Sequence, residues 1–428
     1  MKILFVLGNV YPHDDANSIL IERLATELHK LDGATSIIEL GLSDNVGGST
    51  CSEHRGIKVY ELGNTFQSRI SGALNEFLKS ICAYSRNERF QLFLKNPGLM
   101  LEYIYMRILY GNISKNYKKG IRRICHDELV DIVVCVSYPF EACIATARMR
   151  MRVPFIYYQL DPYFNHYQQK WKLYAQKRED FVCRKASHVV MTKLIHEDYF
   201  NSKLKHHFPK CSILEFPSIR PVPLLQDNDV IHAKTDKESF YRFLFLGSVY
   251  SDIRSPDYCY ALFHQVIEKY PGIIIDFVGP IYGNLSTAAK HLEGLLGSNF
   301  RRHERVSADA ADKLLSGADF LINIGNTVHN QMPSKIFEYI STGKPILNFY
   351  KMDNCPTLNY TEKYPLCMNV SEARSIDDDL VDEFLQFCTR NYGKRLTYNQ
   401  VEAIFSECTV ESVGKRFSKI VESVIHKK

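Results

Sequence analysis

The sequence predicts an α/β protein of two Rossmann-like domains, each built on a doubly wound parallel sheet. The chain has 428 residues, which is long for a single core. Short runs that are apolar on both faces alternate with helical patterns, as in parallel sheets covered by helices. A proline-rich stretch without periodicity, "LEFPSIRPVPLLQDND", interrupts this alternation. We therefore expect a first domain at 1–215, a linker at 216–235, a second domain at 236–396 and a terminal helix at 397–428.

The first domain is expected to begin with a strand, which is followed by a helix over 18–31, "SILIERLATELHKL". The strands are "KILFVLG" (2–8), "DIVVCVSY" (131–138), "VPFIYYQLD" (153–161) and "HVVMT" (188–192). Those of the second domain are "YRFLFLGS" (241–248), "GIIIDFVGP" (272–280), "ADFLINIG" (318–325) and "KPILNFY" (344–350). Two such domains would face a central cleft at the carboxyl ends of their strands, where ligands bind in this type of fold.

Composition narrows the class of protein. The formal net charge of +5 is modest and does not indicate nucleic-acid binding. Twelve cysteines are scattered without a CxxC pair or a His/Cys ladder, so we expect no metal site, no disulfide framework and reduced cytoplasmic thiols. The N-terminus is not typical of a signal peptide, and no apolar run is long enough to span a membrane.

The segment "NQMPSKIFEYISTGKPI" (330–346) predicts a short helix with an anion-binding start. Pro333 stands at its entry, Gly343 at its exit, and Pro345 prevents continuation. Lys335 falls in the first turn, where a cation is unfavourable unless an anion binds beside it. Glu338 is a lone carboxylate among apolar neighbours, which indicates a binding role.

The loop "FLGSVYSDIRSPD" (245–257) follows the first strand of the second domain. Gly247 allows a ligand to approach the backbone, and Arg254 is suited to phosphate oxygens. The sequence contains neither GxGxxG nor a Walker lysine loop, so a dehydrogenase or a P-loop enzyme is disfavoured.

The stretch from about 241 to 350, above all "MPSKIFEYISTGKPI", resembles the donor domain of GT-B glycosyltransferases, particularly family 4. The resemblance implies that Glu338 accepts hydrogen bonds from the ribose of a nucleotide sugar. It implies that Ser334 and Lys335 meet the diphosphate and the sugar, and that Arg254 neutralises the departing diphosphate. The donor-binding residues expected from it are Gly247, Ser248, Arg254, Gly279, Asn330, Pro333, Ser334, Lys335 and Glu338.

The first half shows a weaker resemblance to the same family, in "LGNVYPHDDANSILIERLATELHKL" and "VPFIYYQLDPY". It implies an acceptor side formed by His13, Asp14, Asp15 and Asn17, and a catalytic set of Asp161, Arg254 and Lys335. It also implies that the terminal helix crosses back onto the first domain. Two positions depart from the family pattern. Asn330 replaces the earlier of two glutamates, and Leu160 stands where many members carry a histidine.

Several of these positions also have a purely structural interpretation. Asp161 precedes Pro162 and suits a turn. The acidic residues at 14 and 15 precede Asn17 and Ser18, which are plausible helix caps. Residues 377–379 are acidic, and we expect a helix start there rather than a metal site. Residues 98–123 combine aromatic and basic side chains, which suits either peripheral contact with an anionic membrane or a core helix followed by an exposed loop.

These observations favour a cytoplasmic glycosyltransferase that transfers a hexosyl group from a nucleotide-diphosphate sugar to a glycan or lipid-linked acceptor. The resemblance implies retention of configuration, no metal or other cofactor, and a role in bacterial capsule, exopolysaccharide or O-antigen synthesis. Two alternatives stay open. A sugar-nucleotide epimerase would share the nucleotide site, and a non-catalytic GT-B partner protein would explain Asn330 and Leu160.

Overall fold

The computed structural model describes residues 1–10, 15–46, 49–64, 113–166, 169, 172–222 and 241–427. The chain divides into two compact units. Unit 1 comprises Met1–Pro217 and Val410–Lys428, and unit 2 comprises Ser218–Thr409. Both units are α/β with parallel sheets, which confirms the predicted fold class. Residues 223–235 of the expected linker lie outside the described ranges.

Unit 1 is built on one eight-stranded sheet. Its strands are β1 (Lys2–Val6), β2 (Ser36–Val46), β3 (Thr50–His54), β4 (Ile57–Asn64), β5 (Ile132–Val136), β6 (Phe155–Gln159), β7 (His188–Met191) and β8 (Cys211–Ile213). Its described helices include α1 (Ala16–Leu31), α2 (113–127), α3 (Phe140–Ala147), α4 (Lys172–Lys185), α5 (Lys193–Phe200) and a 3₁₀ helix (Lys203–Lys210).

The strand order of this sheet is β3-β4-β2-β1-β5-β6-β7-β8. All pairs are parallel except β3 with β4, which form an antiparallel edge hairpin. Strands β5 and β6 are buried along their whole length, so their sequences are continuously apolar rather than alternating. The chain reverses direction across the sheet between β1 and β5. The loops after these two strands therefore flank the position where ligands bind in doubly wound sheets.

Unit 2 contains a six-stranded sheet and a small two-stranded one. Its strands are β9 (Tyr241–Leu246), β10 (Val249–Tyr250), β11 (Ile273–Val278), β12 (Ile281–Tyr282), β13 (Phe300–His303), β14 (Phe320–Ile324), β15 (Ile346–Tyr350) and β16 (Cys367–Ser371). Its α-helices are α6 (Asp257–Lys269), α7 (Thr287–Leu296), α8 (Ala308–Gly317), α9 (Lys335–Thr342), α10 (Leu358–Thr361), α11 (Asp378–Asn391) and α12 (Tyr398–Phe405).

The large sheet of unit 2 has the order β13-β11-β9-β14-β15-β16 and is parallel throughout. Counted along the six strands, this is the 3-2-1-4-5-6 order of a Rossmann fold. The reversal falls between β9 and β14. The predicted donor-binding residues lie in or just beyond the loops after these two strands, except Gly279, which follows β11.

The segment 397–428 does not form a single helix. Helix α12 belongs to unit 2 and begins with a capping box formed by Thr397 and Gln400. After a break at Thr409, α13 (Val410–His426) belongs to unit 1. There Phe417 stacks between Phe5 and Tyr158, with ring centroids 6.1 and 5.5 Å away. This burial explains why α13 forms part of the core of unit 1.

Three further features of the sequence can be compared with the structure. Asp377 caps α11 by accepting a hydrogen bond from the Leu380 amide at 2.9 Å, so the acidic run is a helix start as predicted. Among the described residues, the helices are too short or too polar to cross a membrane. The described cysteines are free thiols.

Candidate functional site

The loop after β9 approaches the loop after β11 closely. Gly279 has φ +131°, a conformation that L side chains rarely adopt. A Cβ atom placed on Gly279 would lie 2.2 Å from the carbonyl oxygen of Gly247, which is an impossible contact. Gly279 is therefore required by the backbone itself. Gly247 and Gly279 form a side-chain-free backbone surface beside the carboxyl end of β9, which is called the floor of the site below.

Helix α9 lies against this floor. A Cβ atom on Gly247 would lie 3.8 Å from Cγ of Lys335, so the two predicted residues are neighbours. The helix is fixed by Tyr339, whose buried hydroxyl accepts a hydrogen bond from the Leu246 amide at 2.7 Å and donates to the Leu246 carbonyl at 3.1 Å. Burial raises the pKa of Tyr339 above its usual value, so the hydroxyl keeps its proton.

The start of α9 carries an ion pair. Nζ of Lys335 lies 2.6 Å from Oε2 of Glu338, one helical turn later. Both side chains are partly exposed, at 39% and 24%. Ser334 precedes the helix, but its side chain makes no capping hydrogen bond. Gly343 ends the helix with φ +73°, as predicted. The anion expected beside Lys335 is thus supplied in this structure by Glu338.

Arg254 is held in place by the loop after β14. Its Nε and Nη2 donate to Oδ1 of Asn326, at 3.0 and 2.8 Å, and its Nη1 donates to the carbonyl of Ser248 at 3.3 Å. Asn326 is buried and donates in turn to the carbonyl of Gln331 at 3.0 Å. The guanidinium is thereby fixed beside the loop that contains Gly247.

Most predicted donor-side residues are therefore brought together at one edge of the sheet. Asn330 and Pro333 are buried in the segment between β14 and α9. Sequence reasoning missed Asn326 and Tyr339, which position Arg254 and α9. The available signal for Asn326 was its position as a polar residue just after β14, at the end of "ADFLINIGN". For Tyr339 no signal distinguished it from its apolar neighbours.

The predicted acceptor side lies in unit 1. Asn17 is buried at the start of α1, and its Nδ2 donates to Oδ2 of Asp161 at 3.0 Å. Burial raises the pKa of the Asp161 carboxyl, and the hydrogen bond from Asn17 opposes this rise. Asp15 is the N-cap of α1 and accepts from the Ser18 amide at 2.9 Å. The cap suggested at Asn17 or Ser18 is therefore wrong, because the Asp15 carboxylate is the group that accepts from the Ser18 amide.

His13 and Asp14 lie outside the described residues. Leu160 is buried and apolar. His166, which sequence reasoning did not single out, lies within electrostatic range of Asp161. Burial lowers the pKa of His166, and the negative charge of Asp161 raises it.

The loop that carries Asp161 is tied to α4 by Glu179. This carboxylate is fully buried and accepts from the Phe164 amide at 3.1 Å, from the Tyr157 hydroxyl at 2.8 Å and from Nε2 of Gln159 at 2.5 Å. Burial raises the pKa of Glu179 to about 7, and these hydrogen bonds oppose the rise. Glu179 thus sets the position of the loop after β6.

In chemical terms, unit 2 offers a fixed cation at Arg254, a second cation at Lys335, an approachable backbone at Gly247 and one carboxylate. Cations and backbone amides suit phosphate oxygens, while a carboxylate accepts hydrogen bonds from a pair of hydroxyls. Unit 1 offers the Asn17–Asp161 pair, which suits a hydroxyl-bearing ligand.

Two Rossmann-type units on one chain, with this site at the reversal point of the second, define the GT-B class of fold, which is that of many glycosyltransferases. No family model and no curated protein sequence matches the chain.

Solved structures match over nearly its whole length. An α,α-trehalose-phosphate synthase (UDP-forming) from Burkholderia vietnamiensis has a TM-score of 0.68, 9% identity and full coverage of both chains. The sucrose-phosphate synthase from Thermosynechococcus elongatus has a TM-score of 0.64, 11% identity and full coverage of both. HepE from Anabaena, solved in complex with UDP and glucose, has a TM-score of 0.60 and 12% identity, covering 99% of this chain and 100% of its own. At such identities the likeness establishes the fold.

Proposed function

We propose that the protein is a glycosyltransferase that moves a hexosyl group from a nucleotide-diphosphate sugar to an acceptor, with the donor bound by unit 2. The observation that carries the proposal is the meeting of Gly247, Arg254, Lys335 and Glu338 at the reversal point of the sheet. A nucleoside diphosphate presents both chemistries that these groups recognise, phosphates and a ribose diol.

Donor binding would separate the Lys335–Glu338 pair. Lys335 turns to the diphosphate and Glu338 accepts the ribose hydroxyls, so each charged group exchanges one partner for another. Arg254 and Lys335 then stabilise the negative charge that develops on the departing diphosphate. We propose that these cations make a metal ion unnecessary for the transfer, and that Asn330 and Ser334 bind the sugar and the phosphates.

The acceptor side belongs to unit 1 in this proposal. Asp161, held by Asn17, accepts a hydrogen bond from an acceptor hydroxyl, with Asp15 nearby. We propose a glycan or lipid-linked acceptor in bacterial polysaccharide synthesis, membership of glycosyltransferase family 4 and retention of configuration. Similar structures that were solved with UDP-2-fluoro glucose, or with UDP and glucose, support the donor class.

A ligand screen tests the donor site. The melting temperature of the purified protein is measured with UDP, GDP, CMP and dTDP, for the wild type, Glu338→Ala and a control, Glu362→Ala, which alters an exposed carboxylate of the same unit. A ligand at a hundredfold excess over its dissociation constant adds about 2.7 kcal/mol to the apparent stability. We expect one nucleoside diphosphate to stabilise the wild type and the control but not Glu338→Ala. Absence of any stabilisation, or equal stabilisation of Glu338→Ala, would reject the site.

A second experiment separates transfer from the alternatives. Asp161→Asn should keep the donor affinity of the wild type and lose transfer to a hydroxyl acceptor on the order of tenfold to a hundredfold. An epimerase would alter the free nucleotide sugar without any acceptor. A non-catalytic partner would turn over no donor although it folds and melts cooperatively.

We also propose that the protein works in the cytoplasm, in peripheral contact with an anionic membrane. Residues 98–112 lie outside the described residues. On α2, Lys115, Lys119, Arg122 and Arg123 are exposed. The opposite face, with Tyr117, Ile121 and Ile124, is buried in the core, so this helix would act by charge rather than by insertion. Binding to vesicles that contain anionic lipid should disappear at high salt. Binding that is insensitive to salt or to lipid charge would reject this contact.

A further inference from the structure

Three possible metal-ligating residues meet in unit 1, apart from the donor and acceptor residues described above. Asp180 lies on α4, and His206 and His207 lie on the 3₁₀ helix Lys203–Lys210. One ligand atom from each lies within 4.8 Å of the others. His207 is buried, Asp180 is mostly buried and His206 is half exposed. The cluster is therefore part of the packed surface between two elements and is still open on one side.

The two distances from the carboxylate oxygen of Asp180 fit a single small cation. Oδ1 of Asp180 lies 3.2 Å from Nε2 of His206 and 3.0 Å from Nε2 of His207. Around tetrahedral zinc, with bonds of about 2.0–2.2 Å, neighbouring ligand atoms lie about 3.3 Å apart. The other carboxylate oxygen, Oδ2, is 3.1 Å from Nε of Arg184. The histidines and the arginine thus use different oxygens, and an ion at Oδ1 would leave the arginine contact in place.

The contacts of His206 suit a metal ligand. Its Nδ1 lies 2.5 Å from the Lys203 carbonyl oxygen, while its Nε2 faces the Asp180 carboxylate. A neutral imidazole carries one N–H, so it can donate to only one of these two acceptors. If Nδ1 donates to the carbonyl, Nε2 presents a lone pair toward another acceptor. This is the arrangement seen in metal sites, where the nitrogen away from the metal donates to a backbone carbonyl.

The stacking of the two rings points the same way. The ring centroids of His206 and His207 are 3.9 Å apart. Both Nε2 atoms face the same carboxylate oxygen, Oδ1 of Asp180, and His207 has little access to water. A bound metal ion allows both rings to stay neutral and satisfies both Nε2 lone pairs at once.

We propose that Asp180, His206 and His207 bind one divalent transition-metal ion of the zinc class, with water as the fourth ligand. Two imidazole nitrogens and one carboxylate oxygen favour zinc over magnesium or calcium, which prefer all-oxygen sites. The ion joins α4 to the 3₁₀ helix. The preceding residue on α4, Glu179, holds the loop after β6 through the Phe164 amide, so an ion at Asp180 would stabilise the helix that positions this loop.

The test uses the full-length protein after treatment with a chelator. Zn²⁺ binding is measured by calorimetry, and Co²⁺ replaces it as a probe because tetrahedral cobalt absorbs visible light. We expect one equivalent of Zn²⁺, a tetrahedral Co²⁺ spectrum and a higher melting temperature with Zn²⁺. His206→Ala, at a half-exposed position, and Asp180→Asn should each weaken Zn²⁺ binding at least tenfold.

The control is His126→Ala. His126 also pairs with a carboxylate, with Nδ1 2.9 Å from Oδ1 of Asp127, but the pair has no third ligand among the described residues. Its removal should leave Zn²⁺ binding unchanged. The proposal is overturned if the wild type binds no stoichiometric Zn²⁺, or if His206→Ala and Asp180→Asn both bind it as tightly as the control. Neither result depends on donor binding, so the glycosyltransferase proposal stands or fails separately.

Discussion

Arg254 and Asn326 form a two-pronged contact in which Nε and Nη2 of the guanidinium donate to the same amide oxygen, at 3.0 and 2.8 Å. Asn326 is buried, and its own amide donates to the Gln331 carbonyl at 3.0 Å. The cation is therefore positioned before any ligand arrives, and little conformational entropy is lost when phosphate binds.

Replacing Asn326 should weaken donor binding although the residue need not contact the donor. In Asn326→Ala, Arg254 loses its support and must be ordered at the moment of binding. We expect a loss of about 1–2 kcal/mol, or roughly 5- to 30-fold in affinity, for the nucleoside diphosphate that stabilises the wild type. Calorimetric titration measures the affinity of each variant for this nucleoside diphosphate. Asn299→Ala is the control, because Asn299 also holds two backbone carbonyls in unit 2. Equal affinities of the two variants would contradict this role of Asn326.

Removing the Tyr339 hydroxyl should destabilise unit 2. In Tyr339→Phe, the buried Leu246 amide loses its acceptor, which costs about 1–3 kcal/mol. Urea unfolding measures the change in free energy. Tyr392→Phe removes a hydroxyl from a half-exposed ring and should change stability by less than about 0.5 kcal/mol. If both variants unfold at the same urea concentration, the contact with Leu246 does not hold α9 in place.

Two glycines of unit 2 should respond in opposite directions to the same substitution. In Gly279→Ala, backbone strain and the clash with the Gly247 carbonyl should together cost about 2–6 kcal/mol. Gly294 lies in α7 with no atom within 4 Å of an added Cβ, so Gly294→Ala should stabilise the protein by about 0.5–1 kcal/mol. Thermal unfolding shows whether Gly279→Ala lowers the stability of the protein and whether Gly294→Ala raises it. A stable Gly279→Ala protein would show that the close approach to Gly247 is not obligatory.

Glu179 should make stability depend on pH. Burial raises the pKa of Glu179 from 4.5 to about 7 in the folded protein. Between these values the folded state keeps a proton that the unfolded state has released, so stability is lost as pH rises and the loss is complete above pH 7. The wild type should lose up to about 3 kcal/mol relative to Glu179→Gln between pH 4.5 and pH 8.

The neighbouring groups do not titrate in this window. Burial raises the pKa of the Tyr157 and Tyr199 hydroxyls and of the Cys183 thiol, so all three stay neutral below pH 8. Urea unfolding at pH 5 and pH 8 gives the difference between the two proteins. Glu268→Gln, at an exposed carboxylate, should follow the wild type at both values. A difference between wild type and Glu179→Gln that does not change with pH would be incompatible with a raised pKa.

The sequence predicted the strands at the centre of each sheet, but it missed β2, which lies between β4 and β1, and edge strands such as β13 and β16. β1, β5, β9 and β14 are covered on both faces, and only a continuous apolar run satisfies that environment. β13 is an edge strand with the sequence "FRRH", and β16 alternates between buried and half-exposed residues. Edge strands need less apolar surface, so they carry no comparable signal.

The site shows the same division between local and distant information. The end of α9 at Gly343 follows from neighbouring residues, and it was predicted from one short motif. Asn326 and Tyr339 contact partners that are 72 and 93 positions away. Their roles depend on which strands become neighbours, which only the folded sheet decides. The pairing of Lys335 with Glu338 was also not foreseen, although one turn of helix brings them together.

The placement of α13 fixes an order of events during synthesis. The whole of unit 2 leaves the ribosome before residues 410–426, yet those residues cover Phe5 and Tyr158 in unit 1. The amides of Ser218 and Ile219 donate to the Cys408 carbonyl, at 3.2 and 3.0 Å, so the two ends of unit 2 are already joined when it folds. Unit 1 therefore starts to be synthesised before unit 2 and is completed after it. A nascent chain arrested near residue 409 would carry a finished unit 2 beside an unfinished unit 1, whose exposed aromatic rings would need protection by chaperones.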